Sequence, residues 1–341
     1  MKDADVLNKR SAPKIQTMFA LALLLLFALL PLIAAALENP FLLRVGMRVM
    51  VLAIAVSSLN IILGYGGMVS LGHAAFVGIA AYVVAILNWH TSNGEPLLSW
   101  PFVVEGTASV LVVFPVAVAV SALAALIIGI ISLRTSGLYF IMITLAFAQM
   151  LFYLFISMQK YGGEDGTQLL AALEAGSMSL SNRLFLYYII LALLIGILFA
   201  VDRVVGSRFG RVLHGCKQNE RRLAALGYPT LRYKLAAFVL AGALAGVAGV
   251  LLAASQQYVS PTLLSWTRSG ELVIMLVLGG AGTVFGPLFG SLFYVVLELL
   301  LGTWTTHWQI IFGPVFILTV LATKGGISGF LGTLKGRSRS V

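Results

Sequence analysis

The sequence contains little charge for its length. Of its 341 residues only 10% are Asp, Glu, Lys or Arg, whereas 60% are hydrophobic; soluble domains usually have about 25% charged residues. The mean hydropathy is +1.01. This composition excludes an ordinary soluble domain and predicts a chain embedded in lipid.

Residues that carry enzymatic or metal chemistry are also scarce. Cys216 is the single cysteine, which excludes an intramolecular disulfide framework, and its basic surroundings suit the reducing cytoplasm. The four histidines are too scattered for a metal-ligand spacing, and no Ser/His/acid arrangement stands out. No P-loop motif occurs, so the chain cannot cradle ATP phosphates in that way. We therefore predict no enzyme, no cofactor and no metal site.

Long hydrophobic runs, in contrast, are abundant. A helix needs about 20 mostly apolar residues to cross the hydrocarbon core of a membrane. We predict an all-α integral membrane protein with about ten transmembrane or re-entrant helices, at 18–37, 41–63, 68–88, 108–132, 137–158, 183–202, 233–256, 271–281, 285–301 and 309–323. The first run mimics a signal peptide. Because many spans follow it, we favour an uncleaved helix over cleavage.

The basic residues indicate the orientation. The net charge is +10, but it is spread over short blocks and not one basic face, which argues against a nucleic-acid partner. Basic loops face the cytoplasm. We predict cytoplasmic tails at 1–17 and 324–341 and a transmembrane domain at 18–323, whose longest basic loop, 203–232, is also cytoplasmic.

Two arginines do not follow this charge pattern. Arg44 and Arg48 lie about one helical turn apart at the predicted outer end of the second span. Either they reach toward lipid phosphates, or they attract the carboxylate of a substrate.

Two glycine-rich stretches interrupt the spans, at 64–67 and at 279–282 ahead of Gly286-Pro287. In lipid, non-helical backbone is tolerated only where protein buries it or where it lines a cavity, and transporters often bind substrate near such breaks. Small residues at four-residue spacing, as in Gly242-xxx-Gly246, indicate close helix contact.

Polar side chains in apolar surroundings are candidates for the substrate path, because an unpaired polar group there is costly. They are Asn60, Ser70, His73, Thr144 and Gln149. For Asn60 and His73 the alternative is that they bridge the first break to neighbouring helices and never meet substrate. Glu298, a carboxylate in the ninth segment, is a further candidate, unless it is paired or lies near the interface.

The basic loop contains one short predicted helix that begins at Asn219 and ends at Gly227. Asn219 can accept hydrogen bonds from the first turn, Glu220 favours the positive helix end, and Gly227 supplies a left-handed stop. We predict that it docks into another protein; the alternative is a helix on the membrane surface, with Arg221 and Arg222 facing anionic lipid. The candidate docking residues are Asn219, Glu220, Arg221, Arg222, Ala224, Ala225 and Gly227.

Several motifs resemble one known family. The run LNIILGYGGMVSLGHAAF at 59–76 is the most specific, and RTSGLYF at 134–140, GGEDG at 162–166 and AGVAG at 245–249 support it. From about 41 to 323 the chain resembles the branched-chain amino-acid ABC transporter permease family, LivM-type. Tyr161 and Thr167 flank the GGEDG turn where that family usually has Thr and Leu, which weakens inference about substrate at this loop.

The resemblance implies an importer of the bacterial inner membrane. Its other parts would be a second related permease, two ATP-hydrolysing subunits and a periplasmic binding protein, with the 219–227 helix seated on an ATPase and membrane lipid around the spans. The implied substrates are branched-chain amino acids. Urea or another small polar solute, a proton-coupled carrier that uses Glu298, and a structural assembly subunit remain as alternatives.

Overall fold

The computed structural model describes residues 14–96, 106–171, 173–175, 178–179, 182–304, 307–322 and 325–333. Its helices are α1 Lys14–Ala36, α2 Pro40–Leu59, α3 His73–Asn93, α4 Val110–Ser132, α5 Leu138–Ser157, α6 Arg183–Gly206, α7 Arg208–Ala225, α8 Thr230–Gln256, α9 Trp266–Gly279, α10 Gly286–Gly302, α11 Trp308–Ala322 and α12 Gly326–Thr333. A π-helix, Asn60–Tyr65, continues α2, and 3-10 turns lie at Gln159–Tyr161 and Pro261–Leu264.

The predicted all-α membrane fold is confirmed, although the count of ten spans is not exact. Within the described residues, seven helices are long and apolar enough to cross a membrane. Each predicted segment falls on a helix, but α9, α10 and α11 have only 14, 17 and 15 residues. Two further helices, α7 and α12, lie in stretches that we predicted as a loop and a tail.

Helix α8 is central and packs against α2, α3 and α4. Its small residues permit the close approach: a Cβ atom at Gly242 would lie 2.3 Å from the Cβ of Ala125, and one at Gly249 would lie 2.1 Å from the backbone oxygen of Val77. Both distances are shorter than a van der Waals contact. The small-residue spacing therefore acts in helix packing, as the sequence indicates.

Short connections close one end of the bundle. Strand β1 (Thr167–Gln168) pairs antiparallel with β4 (Tyr258–Val259), and β2 (Glu174–Ala175) pairs with β3 (Met178–Ser179). Beside the 162–166 turn, the Lys160 ammonium lies 2.8 Å from a Glu95 carboxylate oxygen. This hydrogen bond lowers the pKa of Glu95 and raises that of Lys160.

The C-terminal helix α12 packs back onto α1, α9 and α10. The buried Gln16 amide donates a hydrogen bond to the backbone oxygen of Ser328, which joins the start of α1 to α12. Part of the predicted 324–341 tail is thus an integral element of the bundle. The remainder of that tail, at 324 and 334–341, and residues 1–13 lie outside the described residues.

The packing of α8 predicts a position-specific effect of one added methyl group. Gly249→Ala should lower the free energy of unfolding by about 1–3 kcal/mol, because the new Cβ must push the α3 backbone away. Gly196→Ala is the matched control, since a Cβ there meets nothing within 4 Å. It should be neutral or slightly stabilising, by less than about 1 kcal/mol.

Thermal unfolding of the two purified variants in the same detergent measures this difference. Equal melting temperatures for both variants would contradict the packing derived for α8.

Candidate functional site

The two glycine-rich stretches are breaks in helices, and they lie against each other. The first break covers residues 60–72, which are the π-helix and the non-helical stretch that follows it before α3 begins. The second covers residues 280–285, between α9 and α10. Asn60 is fully buried between them. Its side-chain oxygen accepts from the amide of Gly282 at 2.9 Å, and its nitrogen donates to the backbone oxygen of Thr283 at 2.8 Å. One side chain therefore satisfies two backbone polar groups of the second break, one donor and one acceptor.

The junction of the two breaks requires glycine at Gly64 and Gly282. A Cβ at Gly64 would lie 1.9 Å from the Asn60 side-chain oxygen and 2.6 Å from the Gly282 nitrogen, so no larger residue fits. Gly282 has a φ of +80°, a backbone conformation that side-chain-bearing residues rarely adopt. Gly64 belongs to the 59–76 motif and Gly282 to the second break. Glycine at these two positions therefore lets the two backbones come into contact.

Helix α7 reaches this junction from the basic loop. The ammonium of Lys217 donates to the backbone oxygen of Gly64 at 2.7 Å. The stem of Lys217 also packs beside Gly67, where a Cβ would lie 2.8 Å from the lysine Cγ. The loop is thus joined directly to the first break through a charge-assisted hydrogen bond.

The end of the loop has the geometry that its sequence predicts. Asn219 leaves the helical conformation, with φ −160° and ψ 97°, and its side-chain oxygen accepts from the amide of Arg222 at 3.0 Å. Gly227 has a φ of +84° and stops the turn. Glu220 pairs with Lys234 of α8. We call residues 219–227 the docking segment; of its predicted docking residues, Arg221, Arg222, Ala224, Ala225 and Gly227 are exposed.

The other polar path candidates lie around the first break or on α5. His73, fully buried, lies 2.7 Å from the Ser58 hydroxyl through its Nε2 atom. The Ser70 hydroxyl accepts from the amide of Gly72 at 3.3 Å. Thr144 lies on α5 against Gly72, and Gln149 is half-buried on the same helix. Their role in lining a path stays a prediction.

A cavity lies among α2, α3, α8, α9 and α10 and includes none of the five candidates Asn60, Ser70, His73, Thr144 and Gln149 in its lining. It holds about 640 Å³ of atom-free space, counting its open mouth. Ten of its fifteen lining residues are apolar, and the polar ones are Arg48, Gln256, Arg268, Glu271 and Tyr294. The cavity is therefore an apolar chamber with a few charged groups, as small-molecule sites are.

Two ion pairs include residues that line this cavity, namely Arg48, Arg268 and Glu271. One nitrogen of Arg48, Nη2, lies 2.9 Å from both carboxylate oxygens of Glu298. On α9, the Arg268 guanidinium lies 2.7 Å from Glu271, three residues further along the helix. Glu298 is therefore paired, one of the alternatives considered above. Arg44, by contrast, is exposed, with its guanidinium 5.8 Å from the ring centre of Phe41.

Arg268 and Glu271 were not among the candidates predicted from the sequence, because the predicted segment began at residue 271 and left Arg268 outside it. Helix α9 begins at Trp266, where Ser265 caps it by accepting from the amide of Arg268 at 3.4 Å. An available signal was the Arg-x-x-Glu spacing next to an apolar run in a chain with so few charges. A search for apolar runs alone does not detect this pair.

These features define a multi-spanning membrane protein of the permease type, with broken helices inside, a charged cavity and a loop element joined to the breaks. The chain belongs to the family described as branched-chain amino acid transport system / permease component, whose family model matches residues 41–320.

Named relatives agree with this assignment. The chain is 27% identical over 293 residues to the high-affinity branched-chain amino acid transport system permease protein LivM of Salmonella typhimurium and to that of Escherichia coli K12. These matches cover 79% of this chain but only 65% of the relatives' own length. LivH of Salmonella typhimurium is 30% identical over 125 residues, 36% of this chain and 40% of LivH. The LivM-type resemblance is therefore confirmed. No solved structure matches.

The junction predicts a large cost for losing the Asn60 amide. Asn60→Ala should destabilise the protein by about 1–3 kcal/mol for each group left without a partner, the Gly282 amide and the Thr283 carbonyl. Asn93→Ala is the matched control, because Asn93 is exposed and bonds only within α3. Melting temperatures of the purified proteins test this; an unchanged value for Asn60→Ala would contradict the junction.

Proposed function

We propose that this chain is the transmembrane permease subunit of an ATP-binding-cassette importer that takes up branched-chain amino acids across the bacterial inner membrane, with both termini cytoplasmic. Family membership supports the permease role, and the names of the LivM and LivH relatives support the substrate class. The same relatives favour a permease over a proton-coupled carrier that would use Glu298.

The bond between Lys217 and Gly64 is the observation that carries this proposal. An importer driven by separate ATPases needs a path by which a cytoplasmic contact moves the membrane helices. Helix α7 supplies such a path. The docking segment lies at its C-terminal end, and Lys217 of the same helix bonds to Gly64 of the first break. A force on the docking segment would reach the first break across the single non-helical residue Asn219, two residues from Lys217.

The docking segment has a surface suited to an ATPase partner. Leu226 and Tyr228 expose 69% and 44% of their surfaces beside the basic side chains of Arg221 and Arg222. Exposed apolar groups rimmed by charge are typical of protein contact sites. The ion pair between Glu220 and Lys234 connects the segment to α8. A displacement of the docking segment would therefore also move the central helix.

The remaining partners follow from the same family. Similarity to both LivM and LivH supports a second related permease beside this chain. A pair of ATP-hydrolysing subunits would bind the docking segments, and a periplasmic binding protein would deliver the substrate on the opposite side. Asn60, Ser70, His73, Thr144 and Gln149 would line the substrate path.

Uptake measurements test the proposed function. Membrane vesicles with the chain and its co-encoded partners should accumulate radiolabelled leucine only when ATP is supplied inside, and radiolabelled urea much less. Ala224→Trp should abolish the uptake, because a bulky side chain cannot enter the partner's cleft. Uptake driven by a proton gradient without ATP, or preference for urea, would contradict the proposal.

The role of Lys217 gives a sharper expectation. Lys217→Gln should lower ATP-driven leucine uptake by about tenfold or more, since a charge-assisted bond of the usual strength is lost. Lys217→Arg should restore part of it. Lys160→Gln is the control, because Lys160 forms an exposed ion pair away from the loop. Undiminished uptake by Lys217→Gln in normally inserted protein would show that α7 does not act through the break.

A further inference from the structure

The charges of the cavity are unusual for their location. Intramembrane charges are expensive and in structures face bundle interiors, paths or partners. In helices α2, α9 and α10, four charged side chains form two ion pairs, Arg48 with Glu298 and Arg268 with Glu271. Arg48, Arg268 and Glu271 line the same chamber, and Glu298 holds Arg48 from outside its lining. Their side chains keep 21–43% of their surface accessible. These groups are therefore partly within reach of a molecule that enters the cavity.

A purely structural ion pair does not require a chamber around it. Here the charged groups share the cavity with an apolar wall that includes Val51, Leu52, Leu263 and Met275. Tyr294 lines the same cavity, together with Arg48, Arg268 and Glu271. The chamber thus offers cationic groups, an anionic group and an apolar surface side by side.

The arginines also have donors to spare. A guanidinium carries five N–H donors, and Arg48 and Arg268 each use one nitrogen in the ion pairs. A carboxylate could be bound by the remaining donors without either pair breaking. Glu271 offers its second oxygen, since only Oε2 faces Arg268 within the described contacts.

We propose that this cavity binds the zwitterionic head group of an α-amino acid. The substrate carboxylate contacts the guanidiniums of Arg48 and Arg268, the substrate ammonium contacts Glu271, and the apolar side chain lies against the aliphatic wall. Glu298 holds Arg48 in place as a positioning residue. This inference rests on the proposed function for its substrate class, and it places substrate recognition within the permease itself.

Direct binding to the full chain tests the proposal. Radiolabelled leucine should bind the purified protein in lipid nanodiscs, and Arg268→Gln and Glu271→Gln should each weaken binding by about tenfold or more. Two leucine analogues probe the charges separately: 4-methylpentanoate lacks the ammonium, and 3-methylbutylamine lacks the carboxylate. Each analogue should displace radiolabelled leucine at least about tenfold less well than unlabelled leucine does. This comparison uses the wild-type protein and requires no variant.

A charge swap separates recognition from structure. The double variant Arg268→Glu/Glu271→Arg keeps an ion pair, so a merely structural role predicts recovered stability and recovered leucine binding. Our proposal predicts recovered stability without recovered binding, because each charge now faces the wrong end of the substrate. The exposed pair supplies a matched control, since Glu95→Lys/Lys160→Glu should leave leucine binding unchanged.

Three results would overturn the proposal: no leucine binding by the wild-type chain, competition by either analogue as strong as that of leucine, or leucine binding restored by the swap. Failure here is distinguishable from failure of the proposed function. If vesicles take up leucine with ATP while the isolated chain does not bind it, the permease role stands and the cavity is not its recognition site. Absence of ATP-driven leucine uptake would instead remove the substrate class on which the inference rests.

Discussion

Backbone amides and carbonyls inside a membrane find no water, so a broken helix needs partners for its free polar groups. In this protein Asn60 supplies two of them: it bonds to Gly282 and Thr283 and closes the second break against the first. Because Gly64 leaves no room for a Cβ and Gly282 has a φ of +80°, both positions need glycine for the two breaks to meet in this arrangement. Two other features depend on this contact between the breaks. One is the position of α7, which bonds to the first break through Lys217, and the other is the place where α9 and α10 diverge.

The same constraint explains where the charges lie. Lipid penalises unpaired charge, and Arg48, Glu298, Arg268 and Glu271 accordingly form pairs at a single chamber between α2, α9 and α10. The chamber and the junction share the helices α2, α9 and α10. A movement at the junction therefore changes the cavity walls, which gives a permease the link it needs between loop and substrate.

Local signals were readable from the sequence, whereas long-range pairings were not. The helices, the two breaks, the cap at Asn219 and the stop at Gly227 follow from hydrophobic length, glycine and capping chemistry within a few residues. Asn60 and Gly282 are 222 residues apart, and Arg48 and Glu298 are 250 residues apart. One sequence contains nothing that selects such partners. Arg268 was missed for a different reason, since a search for apolar runs places the start of a helix after its charges.

The account requires α7 and the junction to move as one unit when ATP binds the proposed complex with ATPase subunits. Spin labels at exposed positions 211 and 281, in a Cys216→Ala background, measure the distance between α7 and the second break; labels at 44 and 258 measure the opposite end of the bundle. We predict that ATP leaves the 211–281 distance unchanged while the 44–258 distance shifts. A change in the 211–281 distance on ATP binding would contradict the account, because the loop would then move without the breaks.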